Sequence, residues 1–391
     1  MKESISYVLV TPYTVAKSRI GGVVSRLLSQ SDLELVGAQM IATDDAFAQA
    51  YAASIGNYQY SSSVPLIAGY VDRNFRPSGG RRHRSLLLLF RGDDPCGKLT
   101  GICGHIYAEH LGIESFTGET IRDTYADLIT DPDNPAKVTY FEPAVLTPRI
   151  QEAADEHLAI FSKFLKGQSN IVDNISYADP SKIERTLVIL KPENWSYASS
   201  KPGTIIDMFS RTGLRIVGIK VHRFSLVQAL EFYGAVDTAL KEKLAPVFGK
   251  RAKELLEKEF NMKLSAKTDQ ALVESFGREC AHDQFSQIVE FMSGIRPDQM
   301  EDPNKPGNVK CMMVIYEGEH AVQKIRDVLG PTDPLKAPSG TIRREFGSNV
   351  MVNTAHASDS AENARREMAI IKIEENALES IINDYMKSIA K

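Results

Sequence analysis

The chain has 391 residues, 46 basic and 50 acidic, for a formal net charge of −4. Its 43% hydrophobic and 25% charged residues are those of an ordinary globular protein, which excludes a disordered or collagen-like chain. The near-balanced charge argues against nucleic-acid binding by bulk positive potential.

Length fits two or three domains. No run approaches the ~20 apolar residues that span a bilayer. The N-terminal Met1-Lys2-Glu3-Ser4 lacks the layout of a signal peptide. Four cysteines (Cys96, Cys103, Cys280, Cys311) are too sparse for a disulfide framework. A cytoplasmic protein with reduced thiols is expected.

In chain order, Tyr7–Pro12 (YVLVTP) reads as an apolar strand stopped by proline. RIGGVVSRLLSQSDLELVGAQM then follows a helix period and passes into a strand. Ser85–Phe90 (SLLLLF) is a further strand, ending in a charged turn with Gly92. GETIRDTY, a strand at Val138–Phe141 and a helix at Arg149–Lys166 complete the first half, and the polar stretch Gly167–Lys182 reads as a linker.

The pattern then repeats. Leu187–Pro192 (LVILKP) matches the first strand, and SKPGTIIDMFSRTGLRIVGIKV matches the helix and strand, with identities Gly22/Gly203, Ser29/Ser210, Leu33/Leu214, Val36/Val217 and Gly37/Gly218. Cys311–Tyr316 with Gly318, then GTIRREF, then Val350–Asn353 follow in the same order. Strand, helix, strand, strand, helix, strand in each half predicts an α+β protein of two ferredoxin-like (βαββαβ) domains, 1–175 and 183–391. Each would be an antiparallel four-stranded sheet with helices on one face. The long charged stretch Asp237–Asp283 has no counterpart in the first half and reads as a helical insertion.

The second half gathers groups suited to phosphates: Lys191 at a strand end, Arg326 in QKIRDVLG, Thr332 in GPTDP, Arg343 in GTIRREF, and His356 in NTAHASDS, with Glu367 beyond it. Arginine grips phosphate oxygens bidentately. A histidine with a pKa near 6.5 is largely neutral at pH 7 and can act as a nucleophile toward phosphorus. Phosphoryl transfer itself is mostly positioning and charge neutralisation.

NTAHASDSAENARREMA, with GTIRREFG, VLGPTDP and LVILKPENW, resembles the nucleoside diphosphate kinase family, whose histidine motif reads N-x-x-H-G-S-D-S with a Glu further along. The resemblance runs in family order across most of 185–385. It implies ping-pong transfer of a γ-phosphoryl group, through phosphohistidine, from a nucleoside triphosphate such as ATP to a nucleoside diphosphate, with Mg²⁺ carried on the phosphates. His356 would be the nucleophile, and Ser358 and Glu367 would orient it. Asn353 would contact the ribose and the phosphate end. Lys191, Arg326, Thr332 and Arg343 would hold phosphates and sugar. Tyr233 would sit near the transferred group, and Phe285 and Val350 would sandwich the base. Homo-oligomers are expected from the family, with pairing of the two halves within one chain as an alternative.

Two departures stand out. Ala357 replaces the family's Gly, at a cost of about 1 kcal/mol if that residue takes a positive φ. The insertion also separates Tyr233 from Phe285. In the first half, Thr11 takes the Lys position, Thr100 that of Arg326, Phe141 that of Asn353 and Ala144 that of His356, while Arg122 is retained, so residues 1–175 read as a catalytically dead copy kept for packing. The different-class alternative is a non-enzymatic nucleotide-binding or scaffold protein on a duplicated fold.

Other signals are weaker. Gly92–Leu99 (GDDPCGKL) nearly matches a phosphate-binding loop, but Leu99 lacks the hydroxyl and Pro95 removes an N–H donor. Cys96, Cys103, His105 and His110 lack zinc-knuckle spacing. Arg81-Arg82-His83-Arg84 is a short basic run open to anion or acidic-partner contact.

Overall fold

The computed structural model of the chain describes residues 3–58, 62–106, 118–299 and 302–390. The first half runs β1 (Ser4–Val10), α1 (Pro12–Ala16), α2 (Ile20–Ser29), β2 (Glu34–Ala42), α3 (Asp45–Gly56), α4 (Val64–Asn74), β3 (Arg84–Gly92), α5 (Pro95–Cys103), α6 (Ile121–Tyr125), β4 (Asp127–Asp131), β5 (Asn134–Glu142), β6 (Val145–Leu146) and α7 (Gln151–Leu165). The second runs β7 (Ile183–Leu190), α8 (Lys201–Ser210), β8 (Arg215–His222), α9 (Leu226–Glu259), α10 (Ala266–Leu272), α11 (Arg278–Ser293), β9 (Cys311–Glu319), α12 (Ala321–Leu329), α13 (Ile342–Phe346), β10 (Ala355–Ala357), α14 (Ala361–Ile370) and α15 (Ala377–Ile389).

The two four-stranded sheets have the orders β2-β3-β1-β6 and β10-β7-β9-β8, which is one strand order met twice. β1 lies antiparallel to β3, with Tyr7 opposite Leu89, and β7 lies antiparallel to β9, with Leu187 opposite Ile315. The closing strands are β6 and β10, not the expected Val138–Phe141 and Val350–Asn353. The first of those runs pairs in the separate β4–β5 hairpin, and the second forms no strand.

Helices cover both faces of the first sheet, correcting the one-face expectation. Alternate residues of a strand point to opposite faces. Val8, Val10, Leu86 and Leu88 pack with α2 and α5, through Val23, Leu27, Leu99 and Ile102. Tyr7, Leu9, Leu87 and Leu89 pack with α3, α7 and α15, through Phe47, Tyr51, Phe161 and Ile382. The unbroken apolar runs YVLV and SLLLLF carry this two-sided burial, since a sheet with one wet face would alternate.

The chain divides into two compact units. The first comprises 1–221, 312–368 and 372–391 and so contains both sheets; the second comprises 222–311 and 369–371. Within the first unit one core joins the sheets through α2 and α8. These helices cross at glycine: a Cβ added at Gly21 would lie 2.6 Å from the Gly203 carbonyl oxygen, and one at Gly203 would run into the backbone of Gly21 and Ser25. The linker lies along β8, where Ile171 bridges to Gly218 and Val172 N–H donates to Val217 O at 2.8 Å. The C-terminal α15 packs in the first sheet's core, with Tyr385 donating to Asp155 at 2.8 Å and Ser162 to Asn383 at 2.6 Å.

The second unit is helical and wider than the expected 237–283. Its 34-residue α9 starts at a Ser225–Gln228 capping box and carries Pro246 in its interior. Gly277 lies so close to Ala245 that a Cβ there would overlap its backbone. No helix among the described residues is long and apolar enough to cross a membrane.

Candidate active site

β7 delivers Lys191 to its end, and β10 returns antiparallel beside it, with His356 opposite Ile189. Thr354, just before β10, takes φ +81° and is fully buried. Such a conformation strains a β-branched residue, and the surrounding bonds hold it. Lys191 N–H donates to Thr354 O at 3.1 Å, Asn194 Nδ2 donates to the same oxygen at 2.7 Å, and Thr354 N–H donates to Glu193 Oε1 at 2.8 Å. Glu193 and Asn194, two and three residues beyond Lys191 in LVILKPENW, carry no role in the sequence-based expectation. Ala357 lies in β10 opposite Val188 and is not a positive-φ residue, so the expected strain at that position is absent.

Asn353 is buried and ties three segments together. Its Oδ1 accepts from Lys191 Nζ at 2.6 Å, and its Nδ2 donates to Thr332 O at 3.0 Å and Val350 O at 2.7 Å. Lys191 Nζ also donates to Met351 O at 2.9 Å.

His356 Nε2 lies 3.1 Å from Glu367 Oε2, which also accepts from Ser358 Oγ at 2.6 Å. The imidazole is 24% exposed and Glu367 is 7% exposed, so the ring reaches solvent while its anchor does not. An ionised carboxylate only accepts. With Nε2 donating to it, the ring lone pair of a neutral imidazole belongs to Nδ1.

Arg343 on α13 donates from Nη1 to Gly330 O and from Nη2 to Ala355 O, each at 3.0 Å. Its Nε is buried with no hydrogen-bond partner among the described residues. Burial, helped by the nearby Arg326 charge, pushes its pKa down to about 10. Arg326 is exposed on α12. Two guanidinium groups close enough to repel, beside a buried N–H with no hydrogen-bond partner among the described residues, form a place that favours an anion.

Lys191, Thr332, Val350, Asn353, His356, Ser358 and Glu367 thus lie in the bonded networks around β10, with Arg343 bonded to Ala355 and Arg326 acting on it through charge. Tyr233 on α9 and Phe285 on α11 lie in the helical unit, both buried. Val350 is 57% exposed.

The first half repeats several of these bonds with different side chains. Arg122 donates to Gly104 O and Val145 O, as Arg343 does to Gly330 O and Ala355 O. Thr11 N–H donates to Ala144 O, as Lys191 N–H does to Thr354 O, and Ala144 shares the positive φ, at +61°. This register matches Ala144 to Thr354. The residue matching His356 is Leu146, opposite Leu9, and Pro143 matches Asn353. The expected Ala144/His356 and Phe141/Asn353 equivalences are corrected accordingly. Glu142 fills the space beside Thr11: it accepts from Thr11 Oγ1 at 2.7 Å, Ala144 N–H at 3.0 Å and Tyr70 OH at 2.5 Å. Burial raises its pKa above the usual carboxylate range.

The Gly92–Leu99 loop holds its own anion. Asp94 Oδ1 accepts from Gly97 N–H at 3.1 Å, and Lys98 pairs with Asp32 at 2.8 Å. His110, weighed as a zinc ligand, lies outside the described residues, and among those described no three His, Cys, Asp or Glu side chains gather to hold a metal.

The family model for nucleoside diphosphate kinase matches residues 252–376. The nucleoside diphosphate kinase of Anaeromyxobacter sp. strain Fw109-5 is 30% identical over 186 residues, 48% of this chain and 87% of that protein. The Bdellovibrio bacteriovorus enzyme is 30% identical over 188 residues, 48% of this chain and 92% of that protein. The Methylorubrum extorquens enzyme is 32% identical over 186 residues, 48% of this chain and 91% of that protein. Relatives matched over nearly their whole length, and a family model spanning the histidine, its anchors and the arginines, make the chain an enzyme of the nucleoside diphosphate kinase family.

Proposed function

We propose that the chain moves a γ-phosphoryl group from a nucleoside triphosphate to a nucleoside diphosphate in two steps, with His356 as carrier. The supporting observation is the Ser358–Glu367–His356 chain, which holds Nε2 3.1 Å from a carboxylate oxygen and so favours the tautomer with the lone pair on Nδ1. In the first step Nδ1 bonds to the γ-phosphorus, the bond from that phosphorus to its bridging oxygen breaks, and the nucleoside diphosphate leaves with the electron pair. In the second, a terminal oxygen of the acceptor diphosphate attacks the phosphohistidine, and Nδ1 takes back its electron pair.

Mg²⁺ arrives with the nucleotide and neutralises phosphate charge. Lys191, Arg326 and Arg343 supply cations along the phosphate chain, and Thr332 a hydroxyl. Asn353 spends both amide hydrogens on loop carbonyls, so its contact with the ribose falls to Oδ1, which can accept a hydroxyl hydrogen. Tyr233 is assigned to the transferred group and Phe285 and Val350 to the base.

Residues 1–175 are read as a degenerate ferredoxin-like copy and 183–391 as the catalytic copy carrying a helical insertion. The shared strand order and the matched Arg122 and Arg343 clamps support this. The Gly21/Gly203 helix crossing supports pairing of the copies within one chain, a unit that can still form homo-oligomers. A cytoplasmic location is part of this reading. Initial rates at varied donor and acceptor test the reaction order: parallel double-reciprocal lines are expected, and intersecting lines contradict a carried phosphoryl group.

A further inference from the structure

The basic run at 81–84 has no place in the phosphoryl-transfer site. The hairpin before it is fixed by Ser78 and Arg81, whose backbones exchange hydrogen bonds at 2.9 and 3.1 Å around Gly79 and Gly80, at φ +58° and +74°. Only glycine takes two such positions in succession without strain. The linker fixes the other side, with Asn174 Nδ2 donating to Arg82 O at 2.6 Å. Between them lies a cavity of about 380 Å³, walled by Arg81, Arg82, His83, Arg84 and Asn174 and, from the start of β8, Arg215.

Elsewhere arginines find carboxylates: Arg185 holds Asp173 and Glu317, Arg76 holds Asp45 and Asp72, and Arg296 holds Asp283 and Glu290. Among the described residues, none of Arg81, Arg82, Arg84 and Arg215 has an ion-pair partner. Arg215 lies over the Tyr177 ring, 5.3 Å from its centre, and Arg84 donates Nη1 to Ile216 O. Asp173 and Glu317, the nearby acids, are both engaged by Arg185. Arg84 is half-buried, and burial first and the like charge of Arg215 second disfavour its protonated form more than Tyr177 and Glu317 favour it. Holding several guanidinium groups around a partly desolvated cavity costs free energy that a multivalent anion offsets.

We propose that this cavity is a second, non-catalytic binding site for a small anion carrying two or more phosphoryl groups. Arg81, Arg84 and Arg215 grip the phosphoryl oxygens, and Val15 and Ala16 supply an apolar flank. The site shares no residue with the His356 cluster, so it stands or falls independently of the reaction proposed there.

Equilibrium dialysis of the full chain with radiolabelled inorganic tripolyphosphate tests it. Arg81 and Arg215 are exposed, so an Arg81→Ala/Arg215→Ala variant tests the site without opening the core. The variant is expected to bind one equivalent fewer per chain than the wild type, with unchanged kinase activity certifying its fold. Arg84→Lys, which keeps the charge and loses the fork, is expected to weaken the same equivalent. Equal stoichiometry in wild type and double variant overturns the proposal. So does displacement of that equivalent by citrate as readily as by unlabelled tripolyphosphate, because the site would then not select phosphoryl groups.

Discussion

At His356 the arrangement separates two tasks: Glu367 takes one ring nitrogen and leaves the electron pair to the other. Losing a hydrogen bond to a charged group costs about 1.5–3 kcal/mol, or roughly tenfold to a hundredfold in rate if it is felt in the transition state. Glu367→Ala, which removes the acceptor, is therefore expected to lower kcat by about that factor while KM changes less, read by steady-state kinetics. The first half offers the converse experiment. Leu146, not Ala144, occupies the matching register, but Thr11 and Glu142 stand where cations are needed. Leu146→His in a His356→Ala background is expected to stay inactive, and recovered activity would show that the first half binds nucleotide.

Two buried groups give pH dependences of opposite sign. Burial depresses His157 to about 4 from 6.5, so it adds stability above pH 6.5 that is lost as pH falls toward 4. Glu142 is raised above 4.5 by burial, so its contribution is full below pH 4.5 and is lost as pH rises through its folded value. Melting curves against pH are expected to show a shallower acid limb for His157→Gln. For Glu142→Gln, the gain over wild type should grow from pH 4.5 toward neutrality.

At the scale of elements, the α2–α8 crossing depends on absent side chains. Gly203→Ala forces a methyl group into backbone that cannot yield as a flexible side chain would, and overpacking of this kind costs about 1–3 kcal/mol or more. Gly101→Ala on α5, with nothing within 4 Å of the added Cβ, is the control, expected to be neutral or slightly stabilising. Denaturant titration distinguishes the two. The elements themselves were largely legible: the strands at 85–90, 187–190 and 311–316, the helix near 149–166 and the short helices in GETIRDTY and GTIRREF all formed. What failed was the last strand of each half. β6 and β10 are two and three residues long, too short for a periodicity, and the register that aligns Leu146 with His356 is fixed by pairing to β1 and β7 rather than by local pattern.

For the whole molecule, the repeat was visible because its glycines and strands recur in order. The return of the C-terminal helix was not. Leu378, Ile382 and Tyr385 mark α15 as amphipathic, but nothing in its pattern names the first sheet's far face as its partner. Ending the chain at residue 376 is accordingly expected to lower the melting temperature of the whole chain and to raise binding of a hydrophobic dye, by exposing apolar residues of α7 and β2. An unchanged melt would mean that the helix contributes nothing there. The sequence also pointed to the residues proposed for the phosphate site but not to their anchors, since Glu193 and Asn194 bond to a strained Thr354 that only the folded backbone reveals.

On the proposed mechanism His356 carries the phosphoryl group. The direct test is to incubate the full chain with Mg²⁺ and ATP labelled with ³²P at the γ-position, without acceptor, and isolate the protein. Acid-labile, base-stable label that is discharged by a nucleoside diphosphate and absent from His356→Ala is expected. Absence of label from the wild-type chain, or label that survives in His356→Ala, would contradict it.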